Sequence, residues 1–338
     1  MKKVLLLFSA LFFLRFANAC LNEYHVSRTG TETIDHFSMT DLYFIRDFDI
    51  TKINEELTIL LKDTSTDNEG ILINKNNIAV KYIKLGKLNE AKFILEELLK
   101  KHPDEYNVNV NLGTLYELIG ENSKALIYIK KAMSINTDSH RGSEWFHVKV
   151  LEYKLRNRTD KQIPGDLILN LKGSGFAADE LVLGVAYQLE ERIPFTPTPN
   201  LMMAKILMEY GDYMADSISI EGAYVLYGIA QEYDSSNVLP LASRKNDLAP
   251  LFKKFKKKTK IPDHKTYFVT SKESEERSKA GEKVSNLLEK GLKKVFGNEE
   301  TQSSVRPVKN GIYIFIGIVV SAFLIILFIR FRKKSLKN

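Results

Sequence analysis

Few side chains in this sequence are placed for acid–base, metal or nucleophilic chemistry. Its six histidines, His25, His36, His102, His140, His147 and His264, are scattered and form no H-E-x-x-H pair. The single cysteine, Cys20, sits beside a targeting segment, and no serine lies in a nucleophile-elbow context. Leu167 to Lys172 reads as a strand, and Gly173-x-Gly175-x-x-Ala178 after it imitates a dinucleotide fingerprint. A dinucleotide site needs a βαβ unit, however, and here the following helix runs into Ile193-Pro194-Phe195-Thr196-Pro197 instead of a second strand. No catalytic residue, cofactor or metal ligand is therefore expected, and the chain reads as a non-enzyme. One sequon, Asn157-Arg158-Thr159, would accept a glycan only in a host that glycosylates asparagine this way.

What the sequence does contain is a period. Leu72 to Glu105 and Tyr106 to Ser139 echo one another in register over 34 residues, with no gap between them. In the first copy Ile78-Ala79, Tyr82, Gly86, Ala91, Leu95, Leu98 and Pro103 stand at fixed offsets. The second copy answers with Leu112-Gly113, Tyr116, Gly120, Ala125, Ile129 and Ala132, and only the proline is lost, to Thr137. A fixed period of this length marks a helical repeat array. Two antiparallel helices approach closely only across small side chains, here Ala79 or Gly113 on the first and Ala91 or Ala125 on the second. Tyr82, Leu95, Tyr116 and Ile129 then fill the spaces between. Gly86 and Gly120 fall where the first helix must end, because glycine takes the left-handed conformation of a C-terminal cap without a Cβ penalty.

This pattern resembles the tetratricopeptide repeat (TPR), whose framework reads W-x2-L-G-x2-Y, then A-x3-F, then P, with Lys75 and Asn109 here in the tryptophan place. Such an array needs about three repeats to bury a continuous core, so the flanks should hold more. Gly142 to Leu155 continues in phase as another first helix, with Trp145, Phe146, Val150, Leu151 and Leu155 on its apolar side. His147 takes the small-residue position there, which predicts a packed or hydrogen-bonded histidine. A polar loop with Asn157, Pro164 and Gly165 delays the partner helix to Ala177–Arg192. Leu201 to Tyr213 carries Ala204, Leu207 and Gly211 at framework spacing, and Ala223, Tyr227 and Ala230 restore the second-helix pattern after about seven extra residues around Met214 to Ile220. The resemblance implies an all-α, TPR-like α-solenoid of helix-turn-helix repeats, well formed over 72–139 and divergent over 140–235, with a C-terminal single transmembrane helix. Residues 20–71 read as an acidic capping segment, aromatic at Tyr43, Phe44 and Phe48, with a helix from Thr51 to Leu61.

The two ends of the chain carry targeting signals. Lys2 and Lys3, an apolar run from Val4 to Leu14, and Ala17-Asn18-Ala19 read as a signal peptide over 1–19 with a small-x-small cleavage site. A short first transmembrane helix is the alternative, against which Arg15 ends the apolar run too early to span a bilayer. Cys20 would become the first mature residue, either a free thiol or a site of lipidation; Ala17 and Asn18 depart from the leucine-containing lipoprotein pattern. Residues 311–329 are free of charge and about 28 Å long as a helix, enough to cross a membrane. Arg330, Arg332, Lys333, Lys334 and Lys337 in the tail 330–338 orient that helix with its C-terminus in the cytoplasm. The formal net charge of +7 resides in these segments, and Cys20 to Asn310 carries about −1, so nucleic acid is not an expected partner. Within 236–310, a basic membrane-proximal linker, Lys253, Lys254, Lys256, Lys257, Lys258 and Lys260 could meet anionic lipid, or simply be solvated. An amphipathic stretch follows between Ala280 and Gly297.

Family resemblance implies that this array binds. Its concave surface would draw on Ile73, Asn76, Val80 and Ile83, then Asn107, Val110, Asn111, Thr114 and Glu117, then Arg141 and Glu144. The family's carboxylate clamp of lysine, asparagine and arginine is largely missing. Asn111 matches one of its five places and Arg141 another by charge only, while Asn76, Val80 and Trp145 replace a lysine, an asparagine and an arginine. An apolar, amide-lined groove for an extended or helical protein or peptide partner is expected instead. The reading that follows is a membrane-anchored scaffold of bacterial type, single-pass, its repeats in the periplasm or at the cell exterior. The alternative is an accessory subunit of a membrane enzyme or of a transport or envelope complex, whose transmembrane helix also makes contacts.

Overall fold

The computed structural model describes residues 23–35, 44–156, 166–256, 259, 261–262 and 268–269. The leader 1–19, Cys20, the sequon at Asn157, Lys257, Lys258 and Lys260, the amphipathic stretch 280–297, the apolar segment 311–329 and the tail 330–338 lie outside the described residues. Three strands come first among the described residues: β1 (Glu23–Val26) and β2 (Glu32–Asp35), an antiparallel hairpin, and β3 (Phe44–Ile45). Ten helices follow: α1 (Ile50–Leu61), α2 (Asn68–Lys84), α3 (Leu88–Lys101), α4 (Tyr106–Leu118), α5 (Asn122–Ile135), α6 (Trp145–Arg156), α7 (Ala178–Arg192), α8 (Leu201–Ser217), α9 (Ile220–Tyr233) and α10 (Leu241–Lys254). The chain then returns as β4 (Phe268–Val269), parallel to β3. The described part is predominantly helical, as the periodicity predicts.

Local chemistry sets the helix ends. Asp49, Asp67, Asn200 and Ser219 each accept a backbone N–H from the first turn of α1, α2, α8 and α9, satisfying donors that have no intrahelical partner. At the other ends of α2 and α4, Gly86 and Gly120 stand at φ +71° and +82°. The Lys87 and Glu121 N–H groups reach back to the Tyr82 and Tyr116 carbonyls, both at 2.8 Å, and the glycine N–H groups to Ile83 and Glu117, both at 3.0 Å. These are the two bonds of a Schellman turn, formed twice at the repeat spacing. Each turn is short enough that the helices it joins fold back as antiparallel neighbours.

The small residues lie where close approach requires them. Ala79, Ala91 and Ala125 are fully buried, as are Leu95 and Ile129. A Cβ built on Gly113 would stand 2.4 Å from Ile129 Cδ1, so no larger residue fits without repacking. Two hydrophobic cores result. One joins α2, α3, α4 and α5, and the other joins α6 through α10 with Phe44 of β3. Helix α6 is their common wall, since Leu151 belongs to the first core and Phe146, Val150 and Tyr153 to the second.

Several elements differ from the sequence expectation. Leu167 to Lys172 forms no strand: the Glu209 carboxylate on α8 takes the N–H groups of Ile168, Leu169 and Asn170 at 2.5, 2.9 and 3.1 Å, which leaves them nothing to give to a sheet. A 3-10 turn, Leu171–Gly173, follows. Helix α6 begins at Trp145 because a 3-10 turn, Ser139–Gly142, precedes it, with His140 and Gly142 at positive φ. Helix α8 runs on to Ser217, absorbing most of the extra residues; its Gly211 makes room for the Tyr227 ring, which would stand 2.6 Å from an added Cβ. The segment read as linker contains α10, whose buried Leu248 and Phe252 complete the second core. The N-terminal segment does more than cap α2. Helix α1 packs there through the Lys81–Glu56 pair and the Asn74 amide on the Leu60 carbonyl at 3.1 Å, whereas the β1–β2 hairpin docks on α8, with Arg28 N–H donating to the Ala215 carbonyl at 2.6 Å.

Candidate functional site

The exposed edges of α2 and α4 border two adjoining cavities. Eight of the eleven expected groove residues, Val80, Ile83, Asn107, Val110, Asn111, Thr114, Glu117 and Glu144, line one of about 360 Å³. Ile73 and Asn76 line the second, of about 530 Å³, and Asn107 belongs to both. Arg141 lies in the turn before α6, and its side chain is outside the described residues. Helical spacing brings these residues to one face: i, i+3, i+4 and i+7 positions on α2 and α4 point the same way once their opposite faces are buried.

The far wall was not readable from the repeat. It consists of Gln188, Glu191 and Arg192 of α7 and the following Phe195, Thr196, Pro197, Asn200 and Met202, with Lys154 contributed by α6. Phe195 meets Phe48 edge-on with centroids 4.8 Å apart, and Lys84 of α2 lies 5.4 Å over the Phe48 ring, so the N-terminal segment braces one end of the groove.

A buried charge cluster forms the floor. The Glu117 side chain is 6% exposed. Its Oε1 accepts from Lys154 Nζ and Arg192 Nη1, both at 2.6 Å, and its Oε2 from Arg192 Nη2 at 3.2 Å, with His147 Nε2 at 2.5 Å. Burial alone would raise the Glu117 carboxyl, but Arg192, His147 and Lys154 outweigh it and hold it well below the ordinary carboxylate range. The two-pronged guanidinium contact fixes the orientation of the carboxylate as well as pairing its charge. His147 is thus a hydrogen-bonded histidine, as its position in the repeat predicts.

A second cluster stands at the rim. His140 Nδ1 pairs with the buried Glu144 carboxylate, which also accepts from Tyr106 OH at 3.0 Å. The His140 ring lies 5.3 Å from that of Tyr187. Its hydrogen bond to Glu144 raises the His140 pKa despite partial burial. For Glu144 burial pushes upward, and the bond to His140 with the neighbouring charges brings the carboxyl below its ordinary value. Among the described residues no group of three or more His, Cys, Asp or Glu side chains is placed to hold a metal ion.

No protein family matches this chain, and no curated protein matches it significantly. His140, Lys154 and Arg192 had no signal in the repeat: His140 sits at φ +49° in an irregular turn, and Arg192 is 75 positions from Glu117, on a helix displaced from the repeat phase.

Proposed function

We propose that this chain is a non-enzymatic scaffold of the tetratricopeptide type, held at a membrane by residues 311–329, whose groove between α2, α4 and α7 binds a protein or peptide partner outside the cytoplasm. The observation that carries this reading is the coincidence of spacing and surface: residues one repeat apart, such as Asn76 with Val110 and Val80 with Thr114, fall on the edges that border a concave, half-polar cavity. Such cavities are where side chains with both apolar surface and hydrogen-bonding groups converge on ligands. The floor cations Lys154 and Arg192 both donate to the Glu117 carboxylate, and Arg192 Nε is buried without a partner. The solenoid arrangement draws its support from the twice-formed Schellman turn and from the small-residue contacts at Ala79, Ala91 and Ala125.

Orientation is tested with cysteine labelling in intact cells. With Cys20 changed to serine, a cysteine placed at the exposed Ile127 should react with a membrane-impermeant maleimide, and one placed at Ser335 should react only after permeabilisation. The reverse pattern would place the repeats in the cytoplasm and overturn the reading.

A further inference from the structure

The densest basic run of the chain lies apart from the groove, at the end of α10. Between Asp247 and Asp263 the sequence carries six lysines, Lys253, Lys254, Lys256, Lys257, Lys258 and Lys260, and no acidic residue. Resting on the membrane-anchored reading above, we propose that this stretch is a bilayer-contact surface: its lysines lie among the phosphates of anionic lipid headgroups, and Ile261 enters the apolar boundary beneath them. The run is mounted on a fixed base. Leu248 and Phe252 are buried in the second core, and Phe255 N–H donates to the Leu251 carbonyl at 2.8 Å. The Phe255 ring packs under the turn of the β1–β2 hairpin, where a Cβ on Gly30 would stand 3.2 Å from it. Thr259 is buried, its hydroxyl donating to Glu221 of α9 and its N–H to the Phe255 carbonyl at 3.1 Å. Positions 252, 255 and 259 thus face inward, while Lys253, Lys254 and Lys256 are exposed.

Those three cations are unpaired. Among the described residues none of them forms an ion pair, whereas Lys81, Lys124, Lys130, Lys131 and Lys172 each meet a carboxylate. Two cations in the last turn of α10 suit the helix dipole, but that effect fades within the turn and does not account for a run that continues to Lys260. Like charges set this close repel one another, so the run is unfavourable until a surface of opposite sign faces it. Ile261, next in sequence, is 50% exposed. Lysines beside an exposed apolar side chain fit a bilayer, whose headgroup phosphates take the cations and whose acyl boundary takes the isoleucine. An acidic protein would answer the charge as well. The bilayer is favoured because a chain held in the membrane meets lipid at high effective concentration, with no second molecule to recruit.

The test uses the full-length chain with Cys20→Ser, reconstituted in vesicles of phosphatidylcholine alone or mixed with phosphatidylglycerol. Energy transfer is read from a fluorophore on one introduced cysteine to an acceptor on the lipid headgroups. From Ala249→Cys, exposed on α10 one turn before Lys253, transfer should rise when phosphatidylglycerol is present and fall again at ~1 M salt, where the Debye length is about 3 Å. From Ile127→Cys it should be low and insensitive to both. At about fivefold per lysine near an anionic surface, Lys253→Gln, Lys254→Gln and Lys256→Gln together should weaken the contact on the order of 100-fold. Ile261→Ser should weaken it without changing the salt dependence. Transfer from position 249 that is the same in both lipids, in a chain that alkaline carbonate does not release from the vesicles, overturns this surface and leaves the anchor standing. Lysine-dependent binding of soluble polyglutamate in place of any lipid response also overturns it, and makes the partner an acidic protein. Release by alkaline carbonate overturns the anchor and the surface together.

Discussion

At the scale of single residues, Glu117 governs the groove. Removing one partner of a buried ion cluster leaves the others desolvated and uncompensated, so Glu117→Ala should lower unfolding free energy by about 3–5 kcal/mol in a denaturant titration. Acetate, filling the vacated place, should raise the Tm of that variant and leave the parent chain unchanged, because a ligand that binds only the folded state stabilises it by mass action. The pH dependence has a definite sign. Glu117 and Glu144 have folded-state values below the ordinary 4.5, so their contribution is complete above that pH and is lost as pH falls through the depressed values. His140 has a raised value, so its contribution is complete below 6.5 and is lost as pH rises through the higher folded value. The His140–Glu144 pair is therefore at full strength between about 4.5 and 6.5. A His140→Asn variant, whose side chain tolerates positive φ, should lose the decline in Tm above that window while keeping the acid limb. Of these residues the sequence marks Glu117, Glu144 and His147 by their repeat phase. Lys154, Arg192 and His140 become neighbours only through the placement of α7 and the turn before α6, which no local pattern records.

Helices and turns show where sequence is enough and where it is not. The Schellman turns at Gly86 and Gly120 are fixed by one residue each, and nothing lies within 4 Å of a Cβ at either position. Gly120→Ala should therefore cost only the left-handed backbone penalty, about 1–2 kcal/mol. Gly113→Ala is a packing change: the added methyl meets Ile129, and the expected loss is about 1–3 kcal/mol. Combining it with Ile129→Val should recover part of that loss if the clash is its cause, and a double-mutant cycle in urea measures the recovery. Helix α8 shows the limit of the repeat pattern. Gly211 occurs at the spacing of a helix-ending glycine, yet the helix continues for another turn and a half, because the position serves Tyr227 and not a cap. Glu209 likewise overrides the strand-like composition of Leu167 to Lys172 by capturing its amide groups. Both effects come from residues far along the chain, so composition within a window could not report them.

Across the described molecule, α6 couples the two cores, and the groove spans the same junction. Leu151 is fully buried in the first core while its helical neighbours serve the second. Leu151→Ala should cost about 2–5 kcal/mol and loosen groove contacts as well as the α4–α5 pair, visible as faster hydrogen exchange in both. A scaffold of this kind requires that this junction meet a partner. A photo-crosslinking amino acid placed at Asn111, inside the groove, is compared in intact cells with one at Phe93, which is 69% exposed on α3 and lines neither cavity. A discrete protein adduct is expected from position 111, reduced by Asn76→Leu and absent from position 93. Adducts from position 93 alone, with a folded and surface-labelled chain, would contradict it.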